Sequence, residues 1–172
     1  MKKLLLLLSL FVSTAFAWDQ RPPLPVESCQ VHSPYGFAQT ARAAQPICRE
    51  AYLVAYDPPA KIPMYVAYTL FPQNALGCFP RTNAFVADQS IQNGPRPDDY
   101  AGTGYDKGHA APDGDLSWSQ IVEYESFLMT NMYPQHGSLN RGIFQSRNIS
   151  TWVGGSAEQR FYYLRGGILW SW

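Results

Sequence analysis

EAYLVAYDPPAKIPMYVAYTLF, residues 50 to 71, holds two apolar runs with a turn between them. The runs, EAYLVAYD (50 to 57) and KIPMYVAYTLF (61 to 71), carry Val, Ile and Tyr, which suit the pleated, half-buried surface of a sheet. DPPA punctuates between them, so the stretch reads as an antiparallel hairpin. In the second run Met64, Val66, Tyr68 and Leu70 share one face at period two, with Tyr65, Ala67 and Thr69 opposite. Pro63 has no N–H to give to a ladder, which puts the start of that strand at an edge or a bulge.

Outward from the hairpin the pattern changes. Residues 72 to 104 are rich in Pro, Asn, Gly and Asp, and a loop of that length inside a domain tends to be functional. SWSQIVEYESFL (117 to 128) spaces Ile121, Tyr124 and Leu128 as a helix does, with serines available as the N-cap. A second short helix is expected after Leu139, and FYYLRGGILW (161 to 170) reads as a buried strand interrupted by two glycines. Residues 18 to 47, full of proline and short polar residues, form an extended arm ahead of a core over 48 to 172. Strands and helices interleave without a βαβ rhythm, so the expected fold class is α+β with a central antiparallel sheet.

Residues 1 to 17 stand apart from that domain. Lys2 and Lys3 precede an apolar run from Leu4 to Phe16, which ends in Ala15-Phe16-Ala17, the pattern of a secretory signal peptide. A secreted or periplasmic protein starting near Trp18 is expected, with no membrane attachment after cleavage. The leader removes two lysines, leaving 11 basic and 13 acidic residues, a net charge of −2. An anionic partner would therefore have to be met by a few placed cations or a metal ion, not by bulk charge. Cys29, Cys48 and Cys78 allow one bridge and one spare thiol, and the Cys29–Cys48 and Cys48–Cys78 pairings both stay open on the spacing. A bridge closing the 29-to-48 loop would contribute on the order of 3 kcal/mol.

Several chemistries are excluded by what the chain lacks. No close set of four Cys or His exists for structural zinc, and His32, His109 and His136 are too scattered for a three-histidine site. There is no GxxxxGK[ST] phosphate loop and no G-x-S-x-G elbow. What remains is a set of polar side chains along the middle of the chain: Arg81 in CFPRTNAF, Lys107 and His109 in GYDKGHAAPDGD, Asn131 in TNMYPQ and Asn140 in SLNRG. Phosphodiester hydrolysis calls for this mixture. A base takes a proton from water, a hard cation sits on phosphate oxygens, and a guanidinium steadies the developing charge. An amide oxygen suits Mg²⁺, which keeps several waters. The competing reading of the same residues is a plain exported α+β binding domain. His32 and His136 read as structural, and Asp113 and Asp115 as turn residues.

GYDKGHAAPDGD followed by TNMYPQ and LNRG resembles the DNA/RNA non-specific endonuclease family, the ββα-metal nucleases, whose signature is D-R-G-H-x-A-P, then N-x-x-P-Q, then an Asn opening a helix. The likeness extends to ICREAYLVAYD, IPMYVAYTL, PRTNAFVAD and DDYAGTGYDKGH, and covers about residues 29 to 170. It implies His109 as general base, Arg81 on the phosphate, Asn140 as the direct Mg²⁺ ligand, and Asn131 orienting the site from beneath. Mn²⁺ is the expected substitute metal. Lys107 stands where the family has Arg, and Asp106 is expected to hold the loop. The implied substrates are DNA and RNA, gripped by their backbone phosphates and cut to 5′-phosphate ends. The likeness also favours a Cys29–Cys48 bridge. Two departures stand out. Asn148 occupies the place of a glutamate that holds the metal's water shell, and the chain stops at Trp172, where the family commonly continues. Part of the C-terminal fold is therefore expected to be missing, and an inactive nuclease-fold binding module or decaying fragment is the alternative reading.

Overall fold

The structure, a computed structural model, describes residues 21–74 and 77–143, and the backbone of 151–155 and 161–166. The two apolar runs become β2 (Leu53–Asp57) and β3 (Ile62–Leu70), paired antiparallel with Leu53 opposite Ala67 and Val54 opposite Val66. Between Ala55 and Tyr56 the register slips by one residue, leaving Met64 as the extra residue and setting Pro63 against Tyr56. That bulge answers the donor that Pro63 lacks. β1 (Gln45–Cys48) joins the free side of β2. On the far side of β3 lie β7 (Phe161–Gly166) and then β6 (Thr151–Gly155), giving an antiparallel sheet in the order β1-β2-β3-β7-β6. The strand expected at 161 to 170 is thus present as far as Gly166. The residues after it, with the leader at 1 to 17 and Asn148, lie outside the described residues.

Side chains alternate across β2 and β3, and each face meets a different cover. Val54, Tyr56, Val66 and Tyr68 join Ile47, Leu116 and Val122 in the main core. The other face presents the smaller set Ala55, Tyr65 and Ala67, with Ala44 packed on it. The arm covers this second side. It is not extended throughout, because residues Val26–Val31 coil into a 3-10 helix that buries Cys29. Cys29 is bridged to Cys48, which answers the pairing left open by spacing, and Cys78 is free and exposed. His32 bolts the arm down further. Its Nε2 lies 3.1 Å from the Glu50 carbonyl, and its Nδ1 lies 3.3 Å from the Thr69 backbone nitrogen.

Over the main core sit two short helices, α1 (Asp113–Leu116) and α2 (Gln120–Ser126). The helical stretch expected at 117 to 128 is cut short at its start because Ser119 takes an extended conformation as N-cap. A second, two-stranded sheet pairs β4 (Tyr105–His109) with β5 (Met132–His136), before and after the helices. The segment after Leu139 forms one wide π-type turn, Leu139–Ile143. The molecule is therefore α+β, with a central antiparallel sheet beside a ββα unit. Among the described residues no helix is long and apolar enough to cross a membrane.

Candidate active site

β4 is fed by a turn that only glycines make without strain, since Gly102 and Gly104 take φ of 72° and 79°. The strand then runs for five residues to His109, and three residues on Pro112 serves as N-cap of α1. His109 is the last residue of β4, opposite Met132. Its ring packs edge-on against Phe127, with centroids 4.8 Å apart, and lies 5.7 Å from Phe85. The backbone just after it is clasped by Asn131, which has no solvent exposure. Ala111 N–H donates to Asn131 Oδ1 at 2.8 Å, and Asn131 Nδ2 donates to the carbonyls of Ala111 and Ser126 at 2.9 and 2.8 Å. A further bond runs from Ala110 N–H to the Asn131 carbonyl. The imidazole is thus presented from a strand end whose exit path is fixed from below.

Arg81 arrives from the long loop, which α2 anchors. Thr82 donates through its backbone N–H and hydroxyl to Oε1 of the buried Glu123, at 2.8 and 3.2 Å. Val86 bridges to Leu128. The guanidinium lies 4.8 Å over the Phe127 ring, so Arg81 and His109 share one aromatic side chain. Arg81 Nε donates to Asn83 Oδ1 at 2.7 Å, and Nη1 is ion-paired with Asp113. Asp113 therefore does more than shape a turn. Sequence reading passed over it because nothing local ties residue 113 to a cation 32 positions earlier.

Lys107 stands two residues before His109, so strand alternation puts both on the same face of β4. Its Nζ lies 5.1 Å from the Phe85 ring centroid and 5.8 Å from that of Tyr100. Burial, with the neighbouring Asp99 charge, keeps the Tyr100 phenol far above its ordinary pKa, so this wall is neutral. Asn140, on the 139–143 turn, donates from Nδ2 to Asp106 Oδ2 at 3.2 Å. Arg141 closes a two-pronged bridge on the same carboxylate, Nε to Oδ2 at 2.8 Å and Nη2 to Oδ1 at 2.9 Å. The Arg141 hydrogen bonds, and then that of Asn140, hold the Asp106 pKa down at about 2. Asp106 does hold the loop, and Arg141 is the residue the motif did not reveal.

Arg81, Lys107 and Asn140, with Phe85, Tyr100, Asp106 and Arg141, line one open cleft of about 530 Å³. His109 is not one of the lining residues; its ring lies 5.7 Å from that of Phe85, which is, and Asn131 is fully buried. Of the expected site residues only Asn148 falls outside the described residues. His136 sits across from Tyr105 and bonds Ser138, while His32 belongs to the arm. Among the described residues no group of three or more His, Cys, Asp or Glu is arranged to hold a metal ion. The cleft's oxygen donors are the Asp98 and Asp106 carboxylates and the Asn140 amide, whose nitrogen is committed to Asp106 and whose oxygen is left as an acceptor. An all-oxygen donor set with room for water fits a hard cation such as Mg²⁺, not a thiolate- or imidazole-bound metal.

Human Endonuclease G, mitochondrial, is 32% identical over 106 residues, 60% of this chain and 36% of its own length. A protein named Nuclease from Nostoc sp. is 31% identical over 149 residues, 80% of this chain and 54% of its own. A crystal structure of an EndoG/EndoGI complex superposes with a TM-score of 0.63 at 27% identity, covering 71% of this chain and 51% of that one. The chain thus spans about a third to a half of the relatives it matches. These names also correct one expectation. The relatives whose names state a compartment, from human, frog and two yeasts, are mitochondrial nucleases, which overturns the secreted or periplasmic location read from the leader. A leader is an address read by receptors, and its apolar pattern is not a property of the fold it precedes. The DNA/RNA non-specific endonuclease profile matches residues 31–155, over β1 to β6, with the strand bearing His109 and the turn bearing Asn140, and the chain belongs to that family.

Proposed function

We propose that the chain is a metal-dependent nuclease that hydrolyses phosphodiester bonds of DNA and RNA with little sequence preference. The observation that carries this reading is the convergence of His109 and Arg81 on the Phe127 ring, beside a cleft lined by Lys107 and Asn140. Arg81 and Lys107 also answer the charge problem, because they place cations in one cleft on a chain with no basic excess. Backbone phosphates are common to every sequence, so a site built from phosphate-directed cations has little means to read bases.

His109 takes a proton from the attacking water. The water oxygen bonds to phosphorus, the P–O3′ bond breaks, and the products are a 5′-phosphate and a 3′-hydroxyl that takes its proton from solvent. Arg81 keeps further N–H groups beyond those given to Asn83 and Asp113, and these hold the phosphate oxygens as charge builds. Lys107 adds a point charge without Arg's two-pronged geometry. Asn131 fixes the strand exit so that the imidazole keeps its aim. Asn140 would hold Mg²⁺, or Mn²⁺ in its place, through its amide oxygen, with Asn148 as the second expected member of the ion's surroundings. When bound, the ion supplies positive charge to the phosphate oxygens.

Digestion of plasmid and RNA by the purified protein tests the reading. Hydrolysis is expected with Mg²⁺ and none with EDTA. His109→Ala is expected to lower kcat by about 10²- to 10⁴-fold, the usual scale for a general base. Equal digestion by His109→Ala and wild type would remove the mechanism. Binding of nucleic acid without turnover would favour the binding-module reading.

A further inference from the structure

The Asp106 carboxylate has two occupants, and they come from adjacent residues of one turn. Asn140 gives it one hydrogen bond, from Nδ2 at 3.2 Å, while Arg141 gives it two, at 2.8 and 2.9 Å. The longer amide bond is the weaker, and the charge-assisted fork is the stronger. Asn140 can rotate its amide about its last torsion, and either orientation leaves an oxygen or a nitrogen facing the cleft. Only a carboxylate, an acceptor with no proton to give, dictates that the nitrogen faces Asp106 and the oxygen faces away. Asp106 must itself stay in place for this to hold, and β4 supplies its backbone while Arg141 clamps both of its oxygens.

A Cβ placed on Gly137 would lie 2.8 Å from Arg141 Nη2 and 3.2 Å from Cζ, so the guanidinium passes close to position 137 as the far end of a long, exposed side chain that can shift.

Resting on the nuclease reading above, we propose that Arg141 is a positioning residue for the metal-binding amide: it clamps Asp106, which in turn orients the Asn140 oxygen into the cleft. Arg141 itself touches neither metal nor scissile phosphate in this role. The three-residue relay also joins β4 to the 139–143 turn, which follows the end of β5 that pairs with Tyr105 and Asp106.

The test is Mn²⁺ binding to the full chain without nucleic acid, followed by electron paramagnetic resonance or calorimetry, for wild type, Arg141→Ala and Arg141→Lys. Loss of a residue that orients a ligand is expected to weaken binding on the order of 10- to 100-fold. Arg141→Ala should fall in that range. Arg141→Lys should recover part of the affinity, because it restores a charge without the fork. The side-chain amide resonances of Asn140 should shift in Arg141→Ala, with the thermal midpoint held near the wild-type value since Arg141 is an exposed residue. Unchanged Mn²⁺ affinity in Arg141→Ala overturns the relay and leaves the nuclease reading intact. A wild-type protein that binds Mn²⁺ but cuts neither DNA nor RNA overturns that reading and leaves the relay standing.

Discussion

Three hydrogen bonds run through the side-chain amide of Asn131, one accepted and two donated. No other side chain of that size offers both kinds of group in this arrangement. Asn131→Asp would set a carboxylate oxygen against the two carbonyls that now accept from Nδ2. Asn131→Ala would strand the Ala111 N–H and two carbonyls in the interior and leave a small void. Its expected cost is about 2–4 kcal/mol, from the unsatisfied groups together with the lost packing. Urea denaturation measures it, and a change under about 0.5 kcal/mol, the scale of an ordinary surface substitution, would mean that the clasp is dispensable. Activity should fall along with stability, because the clasped peptide follows directly on His109.

At the scale of elements, the β4–β5 ribbon is the vulnerable part of the site. A lone two-stranded ribbon is marginal in water, so this one depends on the core beneath it and on close contact between its own strands. Gly108 pairs with Tyr133, and a Cβ there would lie 2.1 to 2.4 Å from three atoms of Gln135, including Cγ near the root of that buried side chain. Gly108→Ala therefore forces the strands or Gln135 to move, at an expected cost of about 1–3 kcal/mol for overpacking. Lys107 and His109 flank the position, so nuclease activity should drop by more than the folded fraction does, as read by kcat on folded protein. A Gly108→Ala protein of full activity and stability would show that the ribbon tolerates a wider spacing. Nothing in residues 104 to 109 alone singles out Gly108, because the atom it must avoid lies 27 positions away.

Over the whole molecule, long-range polar ties connect the arm, the sheet and the site. The buried pair Arg49 and Asp88, at 2.6 Å, links the sheet side of the molecule to the long loop, and Thr130 adds a 2.7 Å bond to the same carboxylate. Burial alone would raise the Asp88 pKa, yet Arg49 and its hydrogen bonds bring it below the ordinary value. His32 ties the arm to β3 and gives the clearest pH dependence. Thr69 N–H donates to Nδ1, so that nitrogen carries no proton, and Nε2–H donates to the Glu50 carbonyl. The neutral ring fits both partners, and protonation would put two N–H groups face to face. Burial lowers its pKa from 6.5, with the Glu50 carbonyl pulling the other way. The unfolded chain takes up this proton first as the medium becomes acid. Stability from His32 is therefore complete above about pH 6.5 and is lost as pH falls from there through the lower folded value. Thermal unfolding should show wild type losing its advantage over His32→Gln between pH 7.5 and 5.5. A constant gap between the two proteins would rule out the linkage. Glu125, raised by burial, contributes with the opposite sign at lower pH, so the comparison is best made as a difference.

The sequence by itself determined the local elements and the chemical inventory. Alternation in residues 50 to 71 carries the hairpin, Pro63 carries the bulge, and the spacing from GYDKGH through TNMYPQ to LNRG carries the order of His109, Asn131 and Asn140. These are readable because strand period, proline geometry and motif spacing act over a few residues. Tertiary structure decided the rest. It coiled part of the arm, chose Cys29–Cys48, shortened α2, paired Arg81 with Asp113, and placed Arg141 on Asp106 beside Gly137. Each of those outcomes depends on atoms far apart in the chain, held at hydrogen-bond or van der Waals distance by packing. A charge or a glycine cannot announce its partner in a one-dimensional pattern when that partner is chosen by the shape of the folded core.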